Sequence, residues 1–461
     1  MIDTHAHLDF PQFDSDRDQV IRDGFEHGLE AVINIGTDLA TSRASLDLAR
    51  RYENIYASIG VHPHDAKNCP ADYITQLRHL VEDDSKSDKK IVAIGEIGLD
   101  YYRDLSPRDI QKRIFREQLE LAKSLNLPVV VHIREAMADS LAILRESGVR
   151  RGVLHSFPGN VAESRAGIDL GFFISFSGPI TYPKSNRAEV AATLPLSRIV
   201  AETDSPYLTP QAFRGKRNMP EYVRFVIEKL AEVFSPYTFD DIERITSYNA
   251  RRLFGLPVDK TGKIVYKIRH SLYINLTNRC SDRCIFCPRN QPGKGVVSGH
   301  YLLLKSEPTV AEVIAAIDRE KDFTEVVFCG LGEPTLRLKE LLEIARAMKA
   351  RNYRIRLDTN GHGSLINKTD LPVQLVGLVD KVSVSLNTPD ACTYVKLCQP
   401  DRGKESYEAM LKFIRGCVAN HIATDASVVD LPGVDIEACR KLAISLGANF
   451  RARHYVADDE V

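Results

Sequence analysis

Residues 1–10 read MIDTHAHLDF and place His5 and His7 one residue apart on an apolar run. Successive side chains of a β-strand point to opposite faces, so these two imidazoles point to the same side. A pair of imidazoles at the end of a strand is one way in which a protein holds a divalent metal ion. Two histidines alone do not establish such a site, and the interpretation depends on further ligands elsewhere in the chain.

Short apolar runs alternate with longer helical patterns through the first 256 residues. The helical spacing is clearest at 109–126, where Phe115, Leu119 and Ala122 recur on one side. The predicted strands cover residues 2–9, 31–35, 55–61, 91–97, 128–133, 151–155, 171–176 and 198–203. Eight strand–helix repeats predict an α/β fold, a (β/α)8 TIM-like barrel whose active site lies at the carboxyl ends of its strands.

Polar side chains stand at the ends of six of these strands. They are His5 and His7, His62 and His64, Glu96, His132, His155, and Glu202 with Asp204. Histidine and carboxylate without cysteine suit a divalent ion such as Zn, Mn or Mg. One carboxylate can bridge two ions, and two ions about 3.5–4 Å apart can activate water and bind both oxygens of a phosphodiester displacement. Asp204 could serve as a metal ligand, as an acceptor of the water's proton, or as both.

The first half resembles the TatD family of metal-dependent deoxyribonucleases. The resemblance rests on the stretches IDTHAHLD, GVHPHD, GEIGLDYY, LPVVVHIREA, LHSFPGN, ETDSPYLTP, FRGKRNMP and NARRLFGL. It implies that His5, His7, Glu96 and Asp204 hold one ion, that Glu96, His132 and His155 hold a second, and that Glu96 and Asp204 are catalytic. His62 and His64 resemble a motif that supports the site or contacts the substrate. The implied substrate is DNA or a short nucleic acid, trimmed from its 3' end.

The length of the chain predicts more than one domain, and its composition is that of a globular protein. The chain has 461 residues, 44% hydrophobic and 27% charged, with a formal net charge of -1. This charge gives no overall attraction to nucleic acid or to a membrane surface. We see neither a signal-peptide pattern nor an apolar run long enough to cross a bilayer, so we expect a cytoplasmic protein without a membrane partner. Only one of the nine cysteines precedes residue 279, and their odd number favours metal binding or buried thiols over a disulfide framework.

A Pro, Gly and charge-rich stretch at 257–263 reads as a linker between a hydrolase domain, 1–256, and a second domain, 264–461. After a strand predicted near 270–276, Cys280, Cys284 and Cys287 follow in Cys-x3-Cys-x2-Cys spacing. Three thiolates can hold a [4Fe–4S] cluster and leave one iron open. A zinc loop is the alternative, but no fourth Cys or His follows closely.

The cysteine spacing, with Phe286 before the last cysteine, resembles the radical S-adenosylmethionine (SAM) enzymes. Their glycine-rich turn follows the second strand and corresponds to the stretch CGLGEP at 329–334, after the apolar residues 326–328. The predicted strands near 354–358, 381–386, 424–430 and 448–456 then complete a partial (β/α)6 barrel. The resemblance implies SAM contacts at Phe286, Gly332, Glu333, Asn360 and Ser385, and a flavodoxin- or ferredoxin-like electron donor. We read the remaining cysteines as buried small hydrophobic residues.

The sequence thus predicts a bifunctional enzyme that joins DNA hydrolysis to reductive cleavage of SAM for radical chemistry on an unknown substrate. Two alternatives stay open. The first half could hydrolyse amide or ester bonds of a small modified metabolite, because the same ions can activate water for acyl transfer. The second half could be a cluster- and SAM-dependent sensor that regulates the first half without turnover.

Overall fold

In the computed structural model, which describes residues 1–290 and 294–454, the chain divides into two units, Met1–Val258 and a second that begins at Asp259. Among the described residues, every helix is too short or too polar to cross a membrane.

The first unit is a parallel eight-stranded sheet in sequential order. Its strands are β1 (Ile2–Ala6), β2 (Ala31–Ile35), β3 (Ile55–Ile59), β4 (Ile91–Asp100), β5 (Val129–Arg134), β6 (Gly152–Leu154), β7 (Phe173–Phe176) and β8 (Ile199–Ala201). Its helices are α1 (Arg17–Glu26), α2 (Leu39–Arg51), α3 (Tyr73–Asp84), α4 (Arg108–Leu125), α5 (Met137–Ser147), α6 (Val161–Asp169), α7 (Arg187–Ala192), α8 (Val223–Val233) and α9 (Phe239–Phe254). A parallel bridge between Ala6 and Ser205 brings the two edges together, and the barrel fold is confirmed.

Alternation along the strands divides the apolar residues of this unit into two clusters. In β5, Val129 and Val131 pack towards the helices, whereas Val130 joins the interior cluster. Leu253 and Phe254, at the end of α9, belong to the same interior cluster. The interior is therefore packed, and the polar residues predicted at the strand ends occupy the other end of the barrel.

The second unit is a seven-stranded sheet in the order β17-β16-β15-β14-β13-β10-β9. These strands are β9 (Val265–Ile268), β10 (Ser271–Ile274), β13 (Glu325–Phe328), β14 (Arg354–Thr359), β15 (Lys381–Ser385), β16 (Ala423–Asp430) and β17 (Asn449–His454), and a hairpin of β11 (Val296–Val297) and β12 (His300–Tyr301) stands apart. The helices are α10 (Val310–Ile317), α11 (Leu338–Ala350), α12 (Gly363–Asn367), α13 (Leu371–Leu375), α14 (Ala391–Cys398), α15 (Lys404–Ala419) and α16 (Ile436–Ser445).

The six parallel strands from β10 to β17 are those that the sequence predicts. The antiparallel strand β9 was missed, because it lies between the predicted linker and the predicted strand at 270–276. Residues 455 and 456, at the end of the strand predicted for 448–456, lie outside the described residues.

Candidate active sites

Backbone hydrogen bonds hold His5 and His7 beside Asp204. The amide of Asp204 donates to the carbonyl of His5 at 2.8 Å, and the amide of His7 donates to that of Ser205 at 2.8 Å. The buried carboxylate of Asp3 accepts bonds from the amide and hydroxyl of Thr203 at 2.9 and 2.5 Å. Asp204 has a left-handed backbone with φ of 60°, a conformation that costs a non-glycine residue free energy and recurs at functional sites. The end of β1 and the turn after β8 are thus fixed together, and their side chains share one rim.

Four donor atoms meet at this rim. The Nε2 atoms of His5 and His7 are 3.2 Å apart, and each lies 3.4–3.5 Å from Asp204 Oδ1. Glu96 Oε2 is 3.5 Å from His5 Nε2 and 3.8 Å from His7 Nε2. Donor atoms about 2.0–2.1 Å from one ion at the corners of a tetrahedron lie about 3.3 Å apart. The spacing of this donor set therefore fits one divalent ion.

The tautomer of His7 also suits a metal ligand. Its Nδ1 lies 3.0 Å from the carbonyl oxygen of Ile35, which can only accept, so Nδ1 carries the proton and Nε2 keeps its lone pair for a metal. Burial lowers the pKa of His7, but the hydrogen bond and charge of Asp204 outweigh burial and raise the pKa above its ordinary value. The carboxylates around His7 therefore favour a positive charge beside them.

The other oxygen of Glu96 faces a second group of imidazoles. Oε1 lies 2.8 Å from His132 Nδ1, 3.5 Å from His155 Nε2 and 3.6 Å from His62 Nε2. Burial alone would raise the pKa of Glu96, but these imidazoles and that of His5 hold it well below its usual range. Glu96 is thus a buried carboxylate anion with one oxygen toward each donor set, the arrangement that a bridging ligand requires.

Carboxylates behind His155 and His132 orient their rings. His155 Nδ1 donates to Glu202 at 2.8 Å, which directs Nε2 towards Glu96. Asp100 Oδ2 lies 3.2 Å from His132 Nε2 and 2.8 Å from His64 Nε2. Such carboxylate–histidine pairs fix the tautomer and raise the basicity of metal-binding imidazoles. The sequence placed Glu202 among the polar residues at the strand ends and gave Asp100 only within a motif, and it indicated an orienting role for neither.

His62 lies beside the second donor set but has the wrong tautomer for a ligand. Its Nδ1 accepts a hydrogen bond from the amide of His64 at 3.2 Å. A neutral imidazole that accepts at Nδ1 carries its proton on Nε2, so the atom facing Glu96 is a donor. Burial is the main cause that lowers the pKa of His62 well below its usual value, which keeps the ring neutral. This geometry agrees with the interpretation of His62 as a supporting or substrate-contacting residue.

The second unit encloses a cavity of about 570 Å³. All eight residues predicted to hold the cluster or SAM line it, namely Cys280, Cys284, Cys287, Phe286, Gly332, Glu333, Asn360 and Ser385. The loop that carries the cysteines pairs with the end of α14, where the amides of Arg283 and Ile285 donate to the carbonyls of Cys398 and Leu397 at 2.9 Å. The topology thus brings residues more than a hundred positions apart to one cavity.

The spacing of the cysteines bears on the choice of metal. Thiolates around one zinc ion, at about 2.3 Å from the metal, lie about 3.8 Å apart. Among the described residues, no group of three Cys, His, Asp or Glu donor atoms within 4.8 Å of one another includes Cys280, Cys284 or Cys287. The three thiols are therefore not gathered around the position of a single zinc ion in this structure.

Glu333 and Asn360 hold the walls of this cavity together. The Glu333 carboxylate accepts bonds from the Thr335 amide and hydroxyl at 3.1 and 2.6 Å, the Thr359 hydroxyl at 2.7 Å and the Asn360 amide at 2.8 Å. The Asn360 side-chain amide donates to Ser281 Oγ at 2.8 Å, within the cysteine loop. Both side chains therefore join neighbouring segments, a role that the sequence did not indicate.

The glycines of the turn at 329–334 allow close backbone packing. A Cβ at Gly332 would lie 2.3 Å from the carbonyl oxygens of Thr277 and Arg279, and one at Gly330 would lie 2.1 Å from the side chain of Asn275. Leu331 instead packs with Tyr266 and Leu302, so a large side chain is accommodated between the two glycines.

The remaining cysteines only partly follow the prediction that they are buried. Cys398, Cys417 and Cys439 are buried, as expected. Cys392 is exposed and Cys329 lines the cavity, so the prediction is wrong for these two. Cys329 directly follows β13 and Cys392 lies in the first turn of α14, and at such element ends an apolar pattern gives little indication of burial.

These features define a metal-dependent hydrolase barrel joined to a radical SAM unit, and comparison with known proteins agrees. The profile of the TatD related DNase family matches residues 2–255, and that of the Radical SAM superfamily matches residues 274–443. The chain belongs to the TatD related DNase family and carries a radical SAM domain in its C-terminal half. Both domains are enzymatic.

Individual relatives correspond to the first half. The uncharacterized metal-dependent hydrolase YabD of Bacillus subtilis is 41% identical over 257 residues, which cover 55% of this chain and 98% of YabD. The 3'-5' ssDNA/RNA exonuclease TatD of Pantoea ananatis is 34% identical over 265 residues, 56% of this chain and all of that protein. The crystal structure of YJJV, a TatD homolog from Escherichia coli, has a TM-score of 0.53 at 33% identity, covering 56% of this chain and 98% of its own.

Proposed function

We propose that residues 1–256 form a two-metal phosphodiesterase that trims DNA from the 3' end. The observation that carries the proposal is the carboxylate of Glu96, whose two oxygens face separate donor sets. The name of the Pantoea relative, a 3'-5' exonuclease, supports the direction of cleavage and the nucleic-acid substrate.

In this proposal, His5, His7, Glu96 and Asp204 hold one ion, and Glu96, His132 and His155 hold the other. Two divalent ions bound there would activate water and bind the oxygens of the scissile phosphodiester. Asp204, within 3.5 Å of both His5 and His7, accepts the proton of the attacking water. Glu202 and Asp100 orient the imidazoles of the second set and keep them from turning away.

The test compares single-stranded oligonucleotides labelled at the 5' or the 3' end, with Mn²⁺ added to metal-free full-length protein. The proposal expects release of single nucleotides from the 3' label first, with a ladder of shortened products from the 5' label. Small amides and esters are assayed alongside. Hydrolysis of an amide or ester without cleavage of any oligonucleotide would reject the phosphodiesterase and support the alternative metabolite hydrolase.

We further propose that residues 264–461 bind a [4Fe–4S] cluster and cleave SAM reductively, with residues 257–263 as the linker. The three cysteines of one loop and the glycine turn line the same cavity, and this convergence supports cluster binding. A cluster held by Cys280, Cys284 and Cys287 would leave one iron for the methionine end of SAM and would supply the electron that cleaves it.

The surrounding residues have separate roles in this proposal. Phe286 packs against the adenine, and Gly332 lets the turn approach the methionine end of SAM. Ser385 contacts the ribose or the carboxylate. Glu333 and Asn360 act from the wall, since their side chains are hydrogen-bonded to the protein. A flavodoxin- or ferredoxin-like protein supplies the electron.

The test of this half is anaerobic. The full chain is reconstituted with iron and sulfide, given SAM and dithionite, and assayed for 5'-deoxyadenosine. More than one equivalent per chain is expected and would exclude a sensor that does not turn over. Full cluster loading with SAM bound but not cleaved would overturn the proposal and favour the sensor.

A further inference from the structure

The face of the second sheet that lies away from its helices is polar. Apolar residues on one face, such as Phe328, Leu357 and Val384, belong to the core. Their neighbours in the strands point to the opposite face. That face carries Glu325, Arg356, Asp358, Lys381, Ser385, Asp425, Ser427, Arg451 and Arg453. Barrels that are closed and packed fill the corresponding face with branched apolar side chains. This face is therefore built for a polar molecule.

The acidic residues of this face are paired with two of its four cations. Arg356 lies 3.0 Å from Asp358 and 3.4 Å from Glu325. Lys381 lies 2.6 Å from Asp425. These pairs set two cations against three carboxylates. Arg451 and Arg453 make no ion pair within 4.0 Å among the described residues, and their charges act on Asp358 at longer range.

Arg453 contributes a positive charge to the cavity wall. Its guanidinium donates to the hydroxyls of Ser427 at 2.7 Å and Ser385 at 3.4 Å. Within residues 1–290 and 294–454, no carboxylate oxygen lies within 4.0 Å of it. A guanidinium has five N–H donors, so further donors are available to a ligand in a fork that matches a carboxylate or phosphate.

A second observation in the same cavity also indicates a ligand. Asn387 is only 5% exposed and lines the cavity. Its amide nitrogen donates to Cys398 Sγ at 3.5 Å, but its Oδ1 atom has no hydrogen-bond partner among the described residues. Leaving a buried acceptor unpaired is unfavourable, and a ligand with a donor group would remove that cost.

We propose that the cavity binds, beside SAM, a small polar substrate whose carboxylate or phosphate is received by Arg453 and whose donor group reaches Asn387. The proposal rests on the SAM-cleaving function proposed for this half and names the substrate class that it acts on. Arg453 binds the substrate in this account, whereas SAM is held by the cysteine loop, the turn at 329–334 and Ser385.

The experiment measures how fast phenylglyoxal modifies Arg453 in the full reconstituted chain with SAM bound, by peptide mass spectrometry. Arg451, on the same strand but outside the cavity lining, is the internal reference. Inorganic phosphate and acetate are the probes, in separate arms. One of them at saturation should slow modification of Arg453 about tenfold relative to Arg451, as expected for a charge-assisted hydrogen bond. Protection by phosphate alone assigns a phosphorylated substrate, and protection by acetate alone a carboxylate.

A variant separates the substrate from SAM itself. Arg453→Gln should leave the KM for SAM in the uncoupled formation of 5'-deoxyadenosine within about twofold of the wild type. A tenfold rise in that KM would assign the guanidinium to the SAM carboxylate and overturn the proposal. Equal modification of Arg453 with and without both anions would also overturn it. Absence of 5'-deoxyadenosine from the wild type rejects the SAM-cleaving function, whereas the protection assay does not depend on turnover.

Discussion

Glu202→Gln removes one negative charge behind the second donor set and preserves the shape of the side chain. The native carboxylate is fully buried. It accepts hydrogen bonds from His155 Nδ1 at 2.8 Å, the Ser156 amide at 2.7 Å and the Ser175 hydroxyl at 2.7 Å. Glutamine can keep its oxygen towards His155 and Ser156 and donate its amide to Ser175, whose hydroxyl rotates to accept.

The expected effect follows from the loss of charge in the bond to His155. Hydrogen bonds to charged groups contribute about 1.5–3 kcal/mol, against about 0.5–1.5 kcal/mol for neutral ones. The difference weakens His155 as a ligand, and substitution of such a partner costs about 10–100-fold in metal affinity. The Mn²⁺ binding event at the second donor set should be affected most, because Glu202 is hydrogen-bonded to His155 and makes no hydrogen bond to His5, His7 or Asp204.

Isothermal titration of metal-free protein with Mn²⁺ measures both events. Glu228→Gln is the matched control, because Glu228 is a half-exposed residue of α8 that pairs with Arg224 at 3.2 Å. Such a surface pair contributes about 0.2–1 kcal/mol, and both Mn²⁺ affinities should stay at wild-type values. Two unchanged affinities in Glu202→Gln would refute the reasoning that His155 is a ligand oriented by this carboxylate.

Three further changes test other parts of the structure. Asp204→Asn should slow oligonucleotide hydrolysis by about 10²-fold or more, since an amide cannot accept the proton of water; wild-type rates would remove Asp204 from the mechanism. Cys284→Ala should lose the visible absorbance of the cluster, whereas Cys392→Ala, at an exposed cysteine, should keep it; retention of iron in both would contradict the ligand assignment. Burial lowers the pKa of His362 from 6.5 to about 4. As the pH falls, the imidazole is therefore protonated in the unfolded state before it is protonated in the folded state. The free energy of unfolding should fall by up to about 3 kcal/mol between about pH 6.5 and about pH 4. Urea denaturation should show this dependence flattened in His362→Gln, and an equal slope in both proteins would disprove it.

The barrel could be predicted because its signals are local. Eight apolar runs alternate with helical patterns, and each polar residue of the rim directly follows a strand. His5 and His7 are one residue apart in the chain, so the alternation of a strand is enough to bring them together. Convergence of the strand ends on one rim then follows from the topology of a parallel barrel.

The residues that orient the ligands could not be found in this way. Glu202 meets His155 across 47 positions of the chain, and Asp100 meets His132 across 32. Neither carboxylate differs in sequence from an ordinary residue after a strand. Their roles appear only when distances and tautomers are known.

The missed strand β9 has a different cause. It joins β10 through Arg269 and His270, and Arg269 adopts a left-handed φ of 57°. In sequence, a tight hairpin is usually indicated by Asn-Gly or Asp-Gly at such positions. Because this hairpin lacks a glycine or asparagine, the sequence offered no turn signal between the two strands.

The central claim of this account is that Glu96 bridges two ions, and anomalous diffraction from Mn²⁺-soaked crystals of the full chain tests it most directly. Two anomalous peaks about 3.5–4 Å apart are expected, one between His5, His7 and Asp204 and the other between His132 and His155, with the Glu96 carboxylate in contact with both. A single peak, or a second peak held by His62 in place of His155, would contradict it.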